Sequence, residues 1–175
     1  TESSGEGIFL NGASYFYPQT LRQKEAPDLM TFQLTVLHPD GWKVVSQGRK
    51  ISESKNGNQV VWETTDPMEE IFLIANRFKE YERQHGGILF YAYLLKEDPD
   101  LAETYFSAAK KYLDFYAKLI GPYPYPKFAL IENAMQTGYG MASFTLLGSQ
   151  VIRFPFILNT SYPHEILNNW WGNSV

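Results

Sequence analysis

The 175-residue sequence contains no cysteine. That absence excludes a disulfide framework, zinc sites built on thiolates and any thiol nucleophile, and it leaves the redox compartment open. Histidine is scarce: His38, His85 and His164 are the only three, so any imidazole chemistry must rest on one of them. No run approaches the roughly 18 apolar residues that would span a bilayer as a helix. There is no long basic run either, and 15 Lys and Arg against 19 Asp and Glu leave a net charge of −4. Nucleic acid and anionic membrane surfaces are therefore not expected partners. The stretch Thr1 to Glu6 lacks the basic and apolar regions of a signal peptide, and the chain does not open with Met. The expectation is that its numbering starts inside a longer product. Neither a G-x-S-x-G elbow nor a P-loop is present, and no internal repeat is visible.

What the chain does have is apolar and aromatic mass. A hydrophobic fraction of 44% and an aromatic fraction of 16% suit one good core or two small ones and argue against disorder. Residues 7 to 17 read as a short strand and a loop ending at Pro18. Thr31 to Leu37 alternates Phe32, Leu34 and Val36 with Thr31, Gln33 and Thr35, the pattern of a half-buried strand. His38-Pro39-Asp40-Gly41 is a turn signal, and Trp42 to Ser46 resumes the sheet. Asn56-Gly57-Asn58 signals a hairpin leading into Val60 to Thr64. Asp66-Pro67 reads as a further turn, and Ile71 to Ala75 and Ile88 to Tyr93 as buried strands. Strands so closely spaced predict an antiparallel sheet or half-sandwich through about residue 95.

The texture changes at Asp98-Pro99, a helix N-cap followed by proline at the first helical position. Leu101, Tyr105, Ala108, Tyr112, Phe115 and Leu119 recur at helical spacing, and Gly121-Pro122 stops the helix. Phe128 to Ile131 reads as a strand and Thr137 to Gly140 as a glycine-rich loop. Met141 to Leu147 with Gln150 to Phe154 reads as a hairpin. The expected fold class is α+β, with a β-rich domain over 1–95 and a mixed domain over 96–175.

Thr160 or Ser161 caps a final helix, with Pro163 in its first turn. This helix carries His164-Glu165-Ile166-Leu167-Asn168. In an H-E-x-x-H helix two histidines four apart share one face and grip Zn²⁺, and the glutamate reaches the metal-bound water as general base. Here Asn stands in the second His position. Taken alone, the His-Glu pair is equally compatible with an ordinary surface helix, where an early Glu suits the macrodipole. Trp170 and Trp171 are expected to pack the helix on its core. His38 and His85 read as solvent-facing loop residues without metal-ligand spacing to His164. The tyrosine-rich segments 15 to 17 and 123 to 125 read as amphipathic core edges, with a binding surface as the alternative.

The longer stretch His164-Glu165-x-x-Asn168-x-Trp170-x-Gly172-Asn173 resembles the H-E-x-x-H-x-W-x-G-N signature of the zinc aminopeptidases of the aminopeptidase N family. Upstream, Gly140-Met141-Ala142-Ser143 stands where that family carries G-x-M-E-N. The order of elements is similar too, loosely over the first 95 residues and more specifically from residue 98. The resemblance implies the end of an N-terminal β domain followed by the start of a thermolysin-like catalytic domain. It also implies a peptide substrate, a zinc cofactor with His164 as ligand, and Glu165 as general base. Gly140, Met141 and Ala142 would line the substrate backbone.

Two departures bear on activity. Asn168 is a poor Zn²⁺ donor beside imidazole, and Ala142 lacks the carboxylate that in the family holds the substrate's α-amine. The family's third ligand, a Glu, and its transition-state Tyr would lie beyond Val175. The rest of the catalytic domain is therefore an expected partner. The resulting expectation is a zinc metallopeptidase-like protein, impaired or incomplete as it stands. The alternative is an inactive homologue serving as a peptide-binding or scaffolding module.

Overall fold

The structure, a computed structural model, describes residues 2–4, 7–19, 29–134 and 138–171. It is α+β, as the sequence predicts, and divides into two compact units, Thr1–Arg77 and Phe78–Val175.

The first unit is built from two antiparallel sheets. One orders β1 (Glu2–Ser4), β2 (Gly7–Leu10), β7 (Leu73–Asn76) and β4 (Lys43–Val45) as β1-β2-β7-β4. The other places β6 (Gln59–Met68) between β3 (Met30–Leu37) and β5 (Arg49–Glu53). The alternation read in β3 is realised: Phe32, Leu34 and Val36 are half-buried while Thr31, Gln33 and Thr35 are exposed. The 38–41 turn closes with Trp42 N–H on Pro39 O at 3.2 Å, and Gly41 takes φ +77°. The β5–β6 hairpin turns at Gly57, φ +65°, as Asn-Gly predicts.

Trp62, fully buried on β6, donates its Nε1–H to Val44 O at 3.1 Å and so ties the two sheets. Asp66-Pro67 is not a turn. Strand β6 runs on through it to Met68, and the register slips as Met30 faces Met68 while Phe32 faces Thr64. The irregularity absorbs a proline that could not have donated to a regular ladder.

The second unit carries a five-stranded mixed sheet ordered β11 (Gly138–Met141), β12 (Phe144–Gly148), β10 (Lys127–Asn133), β9 (Ile88–Leu94), β8 (Lys79–His85). Strand β10 runs parallel to both β9 and β12, and the outer pairs are antiparallel. The sequence places a boundary near residues 94 to 98, whereas the compact division falls at 77/78. The reason is pairing: β9 takes β10 as its parallel partner across the intervening helix, so β8 and β9 belong to the second sheet. Strand β8 (KEYERQH) escapes a reading by hydrophobic pattern because it is a charged edge, a common protection against further strand pairing.

Helix α1 (Pro99–Leu119) starts as expected, with Leu101 N–H donating to Asp98 Oδ1 at 3.1 Å. Its buried stripe is Ala102, Tyr105, Phe106, Ala109 and Leu113, whereas Phe115 and Leu119 of the predicted face are 53% and 66% exposed. The large aromatics pull the sequence reading toward one side, but the surface of the sheet accepts the small Ala102 and Ala109 beneath the helix. Helix α2 (Ser161–Leu167) packs into the same core, where Phe90, Ala92 and Leu94 of β9 and Phe128 and Leu130 of β10 meet both helices. Tyr105 and Tyr162 form the edge-to-face contact between the helices, with ring centroids 4.7 Å apart.

Gln150 to Phe154 is not the second strand of a hairpin. Val151–Arg153 and Pro155–Asn159 are 3-10 turns, and the hairpin is β11–β12 itself. Buried Glu132 at the end of β10 holds this segment, accepting from Arg153 Nη1 at 2.6 Å and from Leu95 N–H at 2.8 Å.

Candidate functional site

Four residues of α2 and its end carry the interest. His164 is exposed, Glu165 and Asn168 are half-buried, and Asn169 is fully buried. Asn168 closes the helix, its N–H donating to His164 O at 3.1 Å with helical φ/ψ, so the i,i+4 pair keeps to one face. Its side-chain Nδ2 donates to Glu165 Oε2 at 3.3 Å.

The other wall is β11, an edge strand paired on one side with β12. The segment read as a glycine-rich loop is thus a strand from Gly138 on, while Thr137, Gly172 and Asn173 lie outside the described residues. Gly140 faces Glu165 closely: a Cβ added there would press on Glu165 Oε2 and lie 3.4 Å from Asn168 Nδ2. Met141 and Ala142 are buried, at 6% and 8% exposure, behind the exposed Gly138 and Tyr139. The structure therefore brings Gly140, Glu165 and Asn168 together. Met141 and Ala142 stand next along the same hairpin.

Zinc requires three protein donors and a water for catalysis. Among the described residues no group of three or more His, Cys, Asp or Glu is placed to hold a metal ion. Asn168, whose Nδ2 donates to Glu165, offers a metal only a neutral amide oxygen, a poor zinc donor beside imidazole. The described residues by themselves do not make up a catalytic zinc site.

Several site-supporting residues were not flagged by the sequence. The β11–β12 turn is Ala142-Ser143, and Ser143 adopts φ +71°, a left-handed conformation that costs a non-glycine residue roughly 1–2 kcal/mol. Three anchors hold it there. Ser143 N–H donates to Asn169 Oδ1 at 2.8 Å, Ser143 O accepts from Ala129 N–H at 3.0 Å, and Ser143 Oγ accepts from Lys127 Nζ at 2.8 Å. Lys127 is fully buried, and burial holds its amine well below the ordinary lysine pKa. Asn169 completes its bonding by donating Nδ2 to Glu165 O at 3.0 Å and to Ile166 O at 3.2 Å. The Tyr123 hydroxyl lies 3.1 Å from Asn169 Oδ1 and from Lys127 O, and burial pushes its pKa well up.

Trp170, at 7% exposure, packs as expected and donates Nε1–H to Gly121 O and Pro122 O, each at 3.1 Å. Trp171 does not: it is 66% exposed, because the turn after α2 points successive side chains apart. His85 is not a free loop residue either. It ends β8 half-buried, with Nε2 2.7 Å from Asp114 Oδ1 of α1.

No family model matches the sequence, and no curated protein matches it. A solved structure described as native yeast LTA4 hydrolase is similar in fold, with a TM-score of 0.63 at 18% identity over 83% of this chain. The chain spans only 23% of that solved chain. At this identity the similarity is one of fold, and it agrees with the α+β arrangement.

Proposed function

We infer that the second unit is a peptidase-type module that receives an extended peptide along β11, beside Glu165, and that metallopeptidase activity is impaired in it. The observation that carries this reading is the close approach of Gly140, on a sheet edge, to the Glu165 carboxylate of α2. An edge strand offers backbone donors and acceptors to an incoming extended chain. A glycine at its centre leaves the carboxylate room beside that backbone. The fold similarity to a protein named a hydrolase and the partial H-E-x-x-H signature support the same class. Asn168, engaged with Glu165, supports impairment over full activity, and so the second reading, a peptide-binding homologue without turnover, keeps its place.

The test is metal and peptide binding by the purified protein. As it stands it should lose zinc on dialysis, since Asn168 puts a neutral amide where the signature has an imidazole. One zinc held per chain through dialysis of the unchanged protein would overturn the impairment. A labelled extended peptide should bind the unchanged protein and bind Gly140→Val about tenfold more weakly, because the added side chain fills the gap beside Glu165. Equal binding by the two would remove the cleft.

A further inference from the structure

The α2 end and the β11–β12 turn are joined by a buried polar cluster that the reading above does not use. Asn169 bridges them. Its Oδ1 takes Ser143 N–H from the turn, and its Nδ2 gives both protons to helix carbonyls, one of them the carbonyl of Glu165 itself. On the far side of the turn, Lys127 Nζ holds Ser143 Oγ at 2.8 Å. The turn residue is a serine at φ +71°, where glycine would be cheaper. A conformation of that kind persists where its surroundings over-determine it.

We propose that Asn169, with Ser143 as its counterpart, is a positioning residue that fixes the gap between the β11 edge and the Glu165 carboxylate. This rests on the peptide-cleft reading for its purpose but not for its geometry. The physical case is one of register between two elements that no ladder joins. Helix α2 is seven residues long, too short to hold a rigid direction by its own hydrogen bonds. The hairpin it faces is an edge. Packing through Ile166 and Trp170 seats the helix on the core, and Trp170 Nε1–H ties its end to Gly121 O and Pro122 O, but those bonds run to the 121–122 segment and not to the β11–β12 turn. A buried amide with three of its hydrogen-bonding positions filled by backbone groups, and the Tyr123 hydroxyl 3.1 Å from the fourth, admits few arrangements. It sits one residue beyond Asn168 and one turn beyond Glu165, so a slip at Asn169 moves both groups facing Gly140.

The experiment reads local coupling apart from overall stability. Amide hydrogen exchange is followed by NMR in the protein and in Asn169→Leu, a similar volume without hydrogen bonds. The Ser143 amide, whose acceptor is the Asn169 side chain, should exchange at least about tenfold faster relative to the amides of β9 and β10, as loss of one buried hydrogen bond implies. A uniform change across the second unit would mean that Asn169 only adds stability, and would overturn the proposal.

Should the Leu variant fail to fold, Asn169→Asp decides, since it keeps the acceptor but loses the donations to the helix. Its Ser143 amide should stay protected while the amides of Asn168 to Trp170 loosen, and unchanged exchange in that segment would overturn the proposal. A second arm compares binding of a labelled extended peptide to the unchanged protein and to Asn169→Leu, expecting a loss of about tenfold. If the unchanged protein binds no peptide, the cleft reading falls while the exchange result still decides the clamp.

Discussion

Lys127 offers a test in which the pH dependence can be worked from the structure. Its amine is fully buried, donates to Ser143 Oγ at 2.8 Å and lies 5.4 Å from the centre of the Phe144 ring. Burial lowers its folded-state pKa well below 10.5. Between that lowered value and 10.5 the native amine is neutral while the unfolded chain carries the proton. The unfolded state then binds more protons, so stability rises with pH, by up to about 1.4 kcal/mol per pH unit. Below the folded-state value both states are charged, the slope vanishes and the full burial cost is felt.

Lys127→Met keeps the length and flexibility of the side chain and abolishes the titration. It also forfeits one hydrogen bond, about 1 kcal/mol. The stability of the variant minus that of the parent should therefore be greatest at the acid end. It should fall by about 2.7 kcal/mol across any two pH units inside the window. Urea unfolding followed by fluorescence, repeated at successive pH values up to about pH 10, just below the unfolded-state pKa, measures the difference. A difference that does not change with pH would refute the argument that burial governs this amine, and with it the neutral Lys127–Ser143 bond.

Other expectations follow from single contacts. Gly140→Ala has an allowed backbone, and its Cβ meets only the end of a flexible Glu165 side chain. Stability should change by less than about 1 kcal/mol, while a crystal structure should show the carboxylate displaced from Asn168; a carboxylate left in place would contradict the close approach. Gly48→Ala is the opposite case. It combines φ +72° with a Cβ driven into the Glu63 backbone, so thermal or denaturant unfolding should report a loss of about 2–5 kcal/mol. Trp170→Ala empties a core site and releases two carbonyls, and should cost about 3–5 kcal/mol in the same assay.

Legibility from sequence followed the range of the forces involved. The β3 alternation, the Asn-Gly hairpin and the Asp98-Pro99 helix start were readable because each is decided within a few residues. The helix stripe was misread because Ala102 and Ala109 look unremarkable until the sheet beneath them is known, whereas Phe115 and Leu119 look like core and are exposed. The compact division at 77/78 differs from the boundary read near residues 94 to 98 because β9 has no local mark of its parallel partner β10, which lies across a 21-residue helix. Asp66-Pro67 carried a sound turn signal, but β6 runs on through it to the pairing of Met68 with Met30 of β3.

The residues named for chemistry divide the same way. By itself the sequence determined that imidazole chemistry could involve three histidines at most, that thiol chemistry was excluded, and that His164, Glu165 and Asn168 share a helix at the spacing of a metal motif with a poor second donor. Those are matters of residue identity and of the 3.6-residue helical repeat, both local. Only the tertiary structure decided that Gly140 stands against Glu165, that Asn168 donates to that carboxylate, and that Asn169, Ser143, Lys127 and Tyr123 join in one buried cluster. Their separations in sequence run to 46 residues, as between Tyr123 and Asn169. No periodicity or turn propensity reaches that far. Hydrogen bonds between distant segments are selected when the core closes and every buried polar group must find a partner.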